Sequence, residues 1–121
     1  MAGASTGMGM GNIHLPRFNG KNYDYWSITM RALFVSQDLW EFVGELWEEP
    51  VDEHEFEMLT QAGREQLKND KKRDAKALFF LYQAVHESVF PRIVIANRSK
   101  EAWETLKTAY QGMEKVNTTK L

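Results

Sequence analysis

The chain has 121 residues, 43% of them hydrophobic, including four Trp and seven Phe, and its 15 basic and 17 acidic side chains leave a net charge of −2. That is enough apolar material for one folded domain and too little length for two, and the near balance of charge excludes a global electrostatic pull towards nucleic acid or membrane. The absence of cysteine excludes disulfides, thiol catalysis and cysteine-based zinc sites, and fits a reducing compartment.

The opening MAGASTGMGMGN is small, rich in Gly and Met and without periodicity, so residues 1–12 are expected to form a flexible tail before a domain spanning 13–121. It lacks the charged start and apolar core of a signal peptide, and Ala2 stands where a myristoylation signal needs Gly. No apolar run approaches the length of a bilayer span, so the expected location is cytoplasmic. Pro16 holds the chain extended and Asn19-Gly20 makes a turn. From Asn22 onward, Tyr23, Trp26, Met30 and Leu33 recur at helical spacing, with Asn22 as N-cap and Phe18 folding back onto the first turn. Ile28, Ala32 and Val35 form a second apolar set, which predicts a helix buried on most sides.

Asp38 is expected to cap a short helix through Leu39, Trp40, Phe42 and Val43, with a left-handed Gly44 ending it. The acidic ELWEEPVDEHEFEMLT that follows contains Pro50 and reads as a loop with one helical turn around residues 52–58. Thr60 then caps the longest helix, expected over 61–85. Its first half is polar, with Leu67 and Ala75 marking the inner side, while Ala75, Leu78, Phe79, Tyr82 and Val85, widened by Leu81, enter the core. Pro91 calls for a break or a short helix near 91–95. Ser99 caps a last amphipathic helix with Ala102, Trp103, Leu106 and Tyr110 on one face, stopped by Gly112.

The chemistry-bearing residues are sparse. His14, His54 and His86 are far apart and show no metal-ligand spacing, and there is no phosphate-binding glycine loop or nucleophile elbow. No catalytic, cofactor or metal residues are therefore assigned. Lys68, Lys72 and Lys76 repeat every four residues and make one stripe suited to phosphates, although Asp70 and Asp74 lie between them and no aromatic platform is evident for bases. An exposed helix laced with local ion pairs is the favoured reading of that stripe. Trp40, Trp47 and Phe56 flank the irregular acidic segment and are the best candidates for binding a partner helix or peptide.

Three segments carry a family resemblance. LPRFNGKNYDYWSITMRALFVSQDLW resembles the opening of the Gag polyprotein of plant copia-type retrotransposons, which runs Leu-Pro-x-Phe-x-Gly-x-Asn-Tyr-x-x-Trp into a helix. KKRDAKALFFLYQAV is similar to that family's second long helix, and SKEAWETLKTAYQG to its segment of the form Ala-x-x-Ala-Trp-x-x-Leu-x-x-x-Tyr-x-Gly. The resemblance implies a structural protein, a capsid-type N-terminal lobe that assembles with copies of itself around RNA held mainly by a later segment, and not an enzyme. Together with the periodicities, the expectation is an all-α, compact orthogonal bundle of five or six helices. The expected function is self-assembly of a retrotransposon particle. Two alternatives stand beside it: a monomeric Gag-derived module that binds a host peptide or protein, and a weak RNA-binding domain.

Overall fold

A computed structural model of the chain describes residues 14–45 and 53–120, the last eight of these as backbone only. The expected tail, Trp47 and the rest of residues 46–52 of the acidic segment lie outside the described residues. What is described is all-α: α1 (Tyr23–Ser36), α2 (Trp40–Val43), α3 (Glu53–Glu57), α4 (Gln61–Gln83), a 3-10 turn (Phe90–Arg92) and α5 (Ser99–Lys120). α5 packs on α4, α2 and α1, and α2 also touches α4 and α1. Their shared core is aromatic: Tyr23, Trp26 and Phe34 from α1, Phe80 and Leu81 from α4, and Trp103 and Leu106 from α5 are all buried.

The arm before α1 closes this core. Phe18 is buried between Trp26, whose ring it stacks on at 5.0 Å, and the edges of Tyr23 and Tyr110. Its backbone pairs in parallel with the segment after α4: Phe18 N–H donates to the Ala84 carbonyl at 2.8 Å, and His86 N–H donates to the Phe18 carbonyl at 2.9 Å. The Trp26 indole N–H donates to the carbonyls of Pro16 and Ala84 at 3.2 and 3.1 Å, so one side chain ties arm, α1 and α4 together.

α1 departs from expectation at both ends of the argument. Asn22 takes a left-handed conformation, φ 57°, and its side chain makes no cap bond, because the chain must reverse there after the docked arm. Ile28, Ala32 and Val35 are exposed, and Phe34 is buried instead, so α1 is covered on one face only. The second apolar set faces solvent because no described element packs over it.

At α2 the N-cap position is Leu39, and Asp38, with φ 62°, bonds across to α4 rather than capping. The Arg73 guanidinium takes a bond from both sides of that residue, donating to the Asp38 carbonyl and pairing with its carboxylate at 3.3 Å, and it covers the Phe42 ring at 4.6 Å. Gly44 ends α2 in a right-handed conformation, φ −115°, so conformational freedom is not its purpose. A Cβ there would lie 2.1 Å from the Trp40 ring. Gly44→Ala should therefore push Trp40 out of its seat and cost about 1–3 kcal/mol, as overpacking does. Urea melts followed by tryptophan emission would show both effects, and an unchanged midpoint and spectrum would contradict them.

Thr60 caps α4 as expected, its hydroxyl oxygen accepting from Gly63 N–H at 3.0 Å. The buried face of α4 is Leu67, Asp74, Ala77, Phe80 and Leu81, whereas Ala75 and Phe79 are exposed and Leu78 and Tyr82 half-buried. Apolar side chains surround the second half of this helix, so spacing alone could not choose the inward face. The helix also ends earlier than expected, at Gln83, which frees Val85 to pair with Phe18. Pro91 is the second residue of the 3-10 turn, in its first positions as its fixed φ favours.

Ser99 begins α5 but does not cap it with its own side chain. Its N–H donates to the buried Asp74 carboxylate at 3.1 Å, and its hydroxyl bonds the same oxygen. Asp74 thus accepts at the positive end of α5 from a neighbouring helix. Two residues before Ser99, Asn97 N–H donates to the Glu101 carboxylate at 2.8 Å, a reach back from the first turn. Gly112 does not stop the helix, which runs on to Lys120. A single glycine inside a helix costs about 1 kcal/mol relative to Ala, too little to end one otherwise favoured.

Candidate functional site

Three surfaces stand apart from the core. The first is the outer face of α1, where Tyr25, Ile28 and Val35 are 68, 69 and 57% exposed and Ala32 lies between them. Their spacing of three, four and three residues makes one apolar stripe along the helix. The sequence contained its signal, a second apolar periodicity in α1, but periodicity does not tell an outer face from an inner one.

The second surface adjoins that stripe. A groove of about 230 Å³ runs between α1, α2 and α5, with Ile28, Arg31, Trp40, Trp103 and Lys107 among its walls. Trp40 is half-buried there, its ring edge-on to Trp103 at 5.6 Å and covered by the Arg31 guanidinium at 5.0 Å. Burial pushes the Tyr23 phenol at the groove's base up to about 12, with the carboxylates of Glu104 and then Asp24 adding to the effect. Phe56 lies elsewhere, 41% exposed on α3 under the Arg64 guanidinium, which stands 4.8 Å over its ring. Trp40 and Phe56 thus belong to different surroundings, and Trp47 lies outside the described residues.

The third surface is the lysine stripe on α4. Lys68, Lys72 and Lys76 are all exposed. The acids between them in sequence are turned elsewhere: Asp70 accepts from Gln66 Nε2 at 2.9 Å and lies 4.0 Å from Arg73, and Asp74 is buried against Ser99. Arg73, adjacent in sequence, is likewise directed at Asp38 and at Glu41, 3.8 Å away. The local ion pair that the described residues show on this helix, Asp70 with Arg73, thus leaves out Lys68, Lys72 and Lys76.

No group of His, Asp and Glu that could hold a metal occurs among the described residues, and no described helix is long and apolar enough to cross a membrane. The His86 ring is held locally, its Nδ1 accepting from Ser88 N–H at 3.1 Å.

A family model for the gag-polypeptide of LTR copia-type matches residues 30–121. The chain belongs to that family. Comparisons with curated proteins and with solved structures gave no match. The copia-type Gag match starts at Met30, in the middle of α1, and runs through α2 to α5. Upstream of it, the docked arm and first turn of α1 carry the Leu-Pro-x-Phe-x-Gly-x-Asn-Tyr-x-x-Trp pattern and supply Phe18, Tyr23 and Trp26 to the same core. The family and the helical architecture together make this a Gag-like structural domain.

Proposed function

We propose that this Gag domain works by self-association, as a non-catalytic building block of a cytoplasmic retrotransposon particle, with residues 13–121 as the assembling unit. The observation that supports this reading is the apolar stripe of Tyr25, Ile28 and Val35 on the outside of α1. Isolated exposed hydrophobics need no explanation, but a continuous stripe on a helix face marks a surface that another molecule covers. Val94 and Ile95 are exposed too, yet they sit in a short loop and extend no such face.

The occupant is a second copy, on grounds of family. The stripe offers on the order of a few hundred Å² of apolar surface, below the roughly 800 Å² per partner of a stable pairwise complex. A single contact of that size is weak, and repetition over many copies makes an assembly of weak contacts persistent. Trp40 and Arg31, beside Ile28 in the adjoining groove, would form the rim of the contact, and Phe56 remains a candidate for a separate one.

Light scattering over a range of concentrations tests this. The apparent mass of the native chain should rise with concentration, and Ile28→Asp should hold it at that of a single chain while leaving the melting temperature within a few degrees, since Ile28 is already largely exposed. A native chain that stays monomeric throughout would instead favour the module that holds a host peptide or protein partner.

A further inference from the structure

The exposed face of α4 carries a feature that self-association does not use. Lys68, Lys72 and Lys76 have no ion pair among the described residues, since the neighbouring carboxylates of Asp70 and Asp74 are bonded elsewhere. Their spacing of four residues sets the ammonium groups about 6 Å apart along the helix, close to the separation of neighbouring phosphates on one nucleic-acid strand. At the end of the same stripe stands Phe79, three residues beyond Lys76 and seven beyond Lys72, and therefore on the same side of the helix. It is 46% exposed, and its ring centroid lies 6.5 Å from that of the buried Phe80. A line of cations without an ion pair among the described residues, ending in an exposed aromatic ring, is the pairing that single-stranded nucleic acids bind: cations track the backbone and a ring stacks on a base.

We propose that this face of α4 binds single-stranded nucleic acid without sequence preference, with Lys68, Lys72 and Lys76 on successive phosphates and Phe79 stacked on a base. The run from Lys68 to Phe79 is about 17 Å long, room for about three nucleotides. An acidic protein is the less suitable occupant: of the three lysines only Lys68 borders the apolar hollow that Phe56 and Leu67 line, and Lys72, Lys76 and Phe79 continue beyond it. Glu65, held by Gln61 Nε2 at 3.4 Å, sits one turn before Lys68 and bounds the site at that end.

The test uses the whole chain and a fluorescently labelled 12-nucleotide RNA of mixed sequence, read by anisotropy. The log of affinity should fall with the log of salt at a slope of about −2, the value for three contacts on a single strand. A DNA strand of the same sequence should bind within a few-fold, and the RNA duplex at least about tenfold more weakly, because its bases are not free to stack. Lys72→Glu should weaken binding by about tenfold or more and flatten the salt slope, and Phe79→Ala should lose about tenfold while Phe79→Tyr retains affinity. Circular dichroism confirms that each variant is folded, and the lysine variants stand as a test even if Phe79→Ala is not. Absence of binding, equal affinity for single strand and duplex, indifference to Lys72→Glu, or displacement of RNA by polyglutamate at equal concentration would each overturn the proposal. Repeating the titration with Ile28→Asp separates it from assembly, because strand binding should survive when association is lost.

Discussion

Asp74→Ala should lower the unfolding free energy by about 3 kcal/mol, the largest effect expected of any polar substitution in this domain. The carboxylate is 6% exposed and accepts both the N–H and the hydroxyl of Ser99, itself fully buried. Alanine would leave the Ser99 N–H without its acceptor in a buried region and the hydroxyl with only the longer bond to the Phe42 carbonyl at 3.4 Å, and would remove the negative charge that faces the start of α5. Because domains of this size have only about 5–15 kcal/mol in hand, the melting temperature should fall by more than about 10 °C. Asp74→Asn keeps one acceptor oxygen and should cost about half as much. Urea unfolding with an unchanged m-value is the measurement, and an Asp74→Ala midpoint within error of the native one would refute the role.

Trp26→Ala should be more damaging still, about 4 kcal/mol or more, and for a different reason. The ring is buried, stacks on Phe18 at 5.0 Å and on Trp103 at 5.7 Å, and fills space that no neighbouring side chain can enter without leaving its own contacts. Trp26→Phe separates packing from hydrogen bonding: it keeps an aromatic ring but leaves the Pro16 and Ala84 carbonyls without the indole donor. The Ala84 carbonyl still accepts from Phe18 N–H, so this variant should lose about 1–2 kcal/mol and chiefly loosen the arm. Faster hydrogen exchange confined to the Phe18 and His86 amides would identify that loosening; uniform exchange across the domain would contradict it.

The helices were legible from their periodicity, and their ends only where local chemistry acts unaided, since Asn22, Asp38 and Ser99 do not cap as their residue types suggest. Thr60, Pro91 and the Asn19-Gly20 turn act through their own backbone neighbours, and the structure places boundaries where they predict. The faces were legible only where apolar residues occupy one side. In α5 the stripe of Ala102, Trp103 and Leu106 is buried as the spacing implies. In α1 and in the second half of α4 apolar side chains lie all round, and long-range packing made the choice, burying Phe34 and Phe80 and exposing Ile28, Val35 and Phe79.

The candidate surfaces followed the same divide. Lys68, Lys72 and Lys76 could be recognised from spacing, but whether Asp70 and Asp74 neutralise them depends on a serine 25 residues past Asp74 and on an arginine held by α2. Trp40 was singled out for flanking an irregular segment, and its covering by Arg31 and Trp103 depends on contacts between helices. Gly44 gave a correct helix end for a mistaken reason, since the glycine requirement comes from the Trp40 ring and not from φ.

The pairing of Phe18 with the stretch around Val85 bears on how the chain comes to be made. On a ribosome the arm emerges well before its main-chain partners Ala84 and His86, so it waits with its aromatic anchor wet until α4 has been made. Helices α1 and α4 can form as they appear, whereas the seam that locks them is a late event with a long loop to close. Until then, newly made neighbours on a polysome expose the same sticky segment side by side, and the domain seals itself only when its own downstream half has arrived.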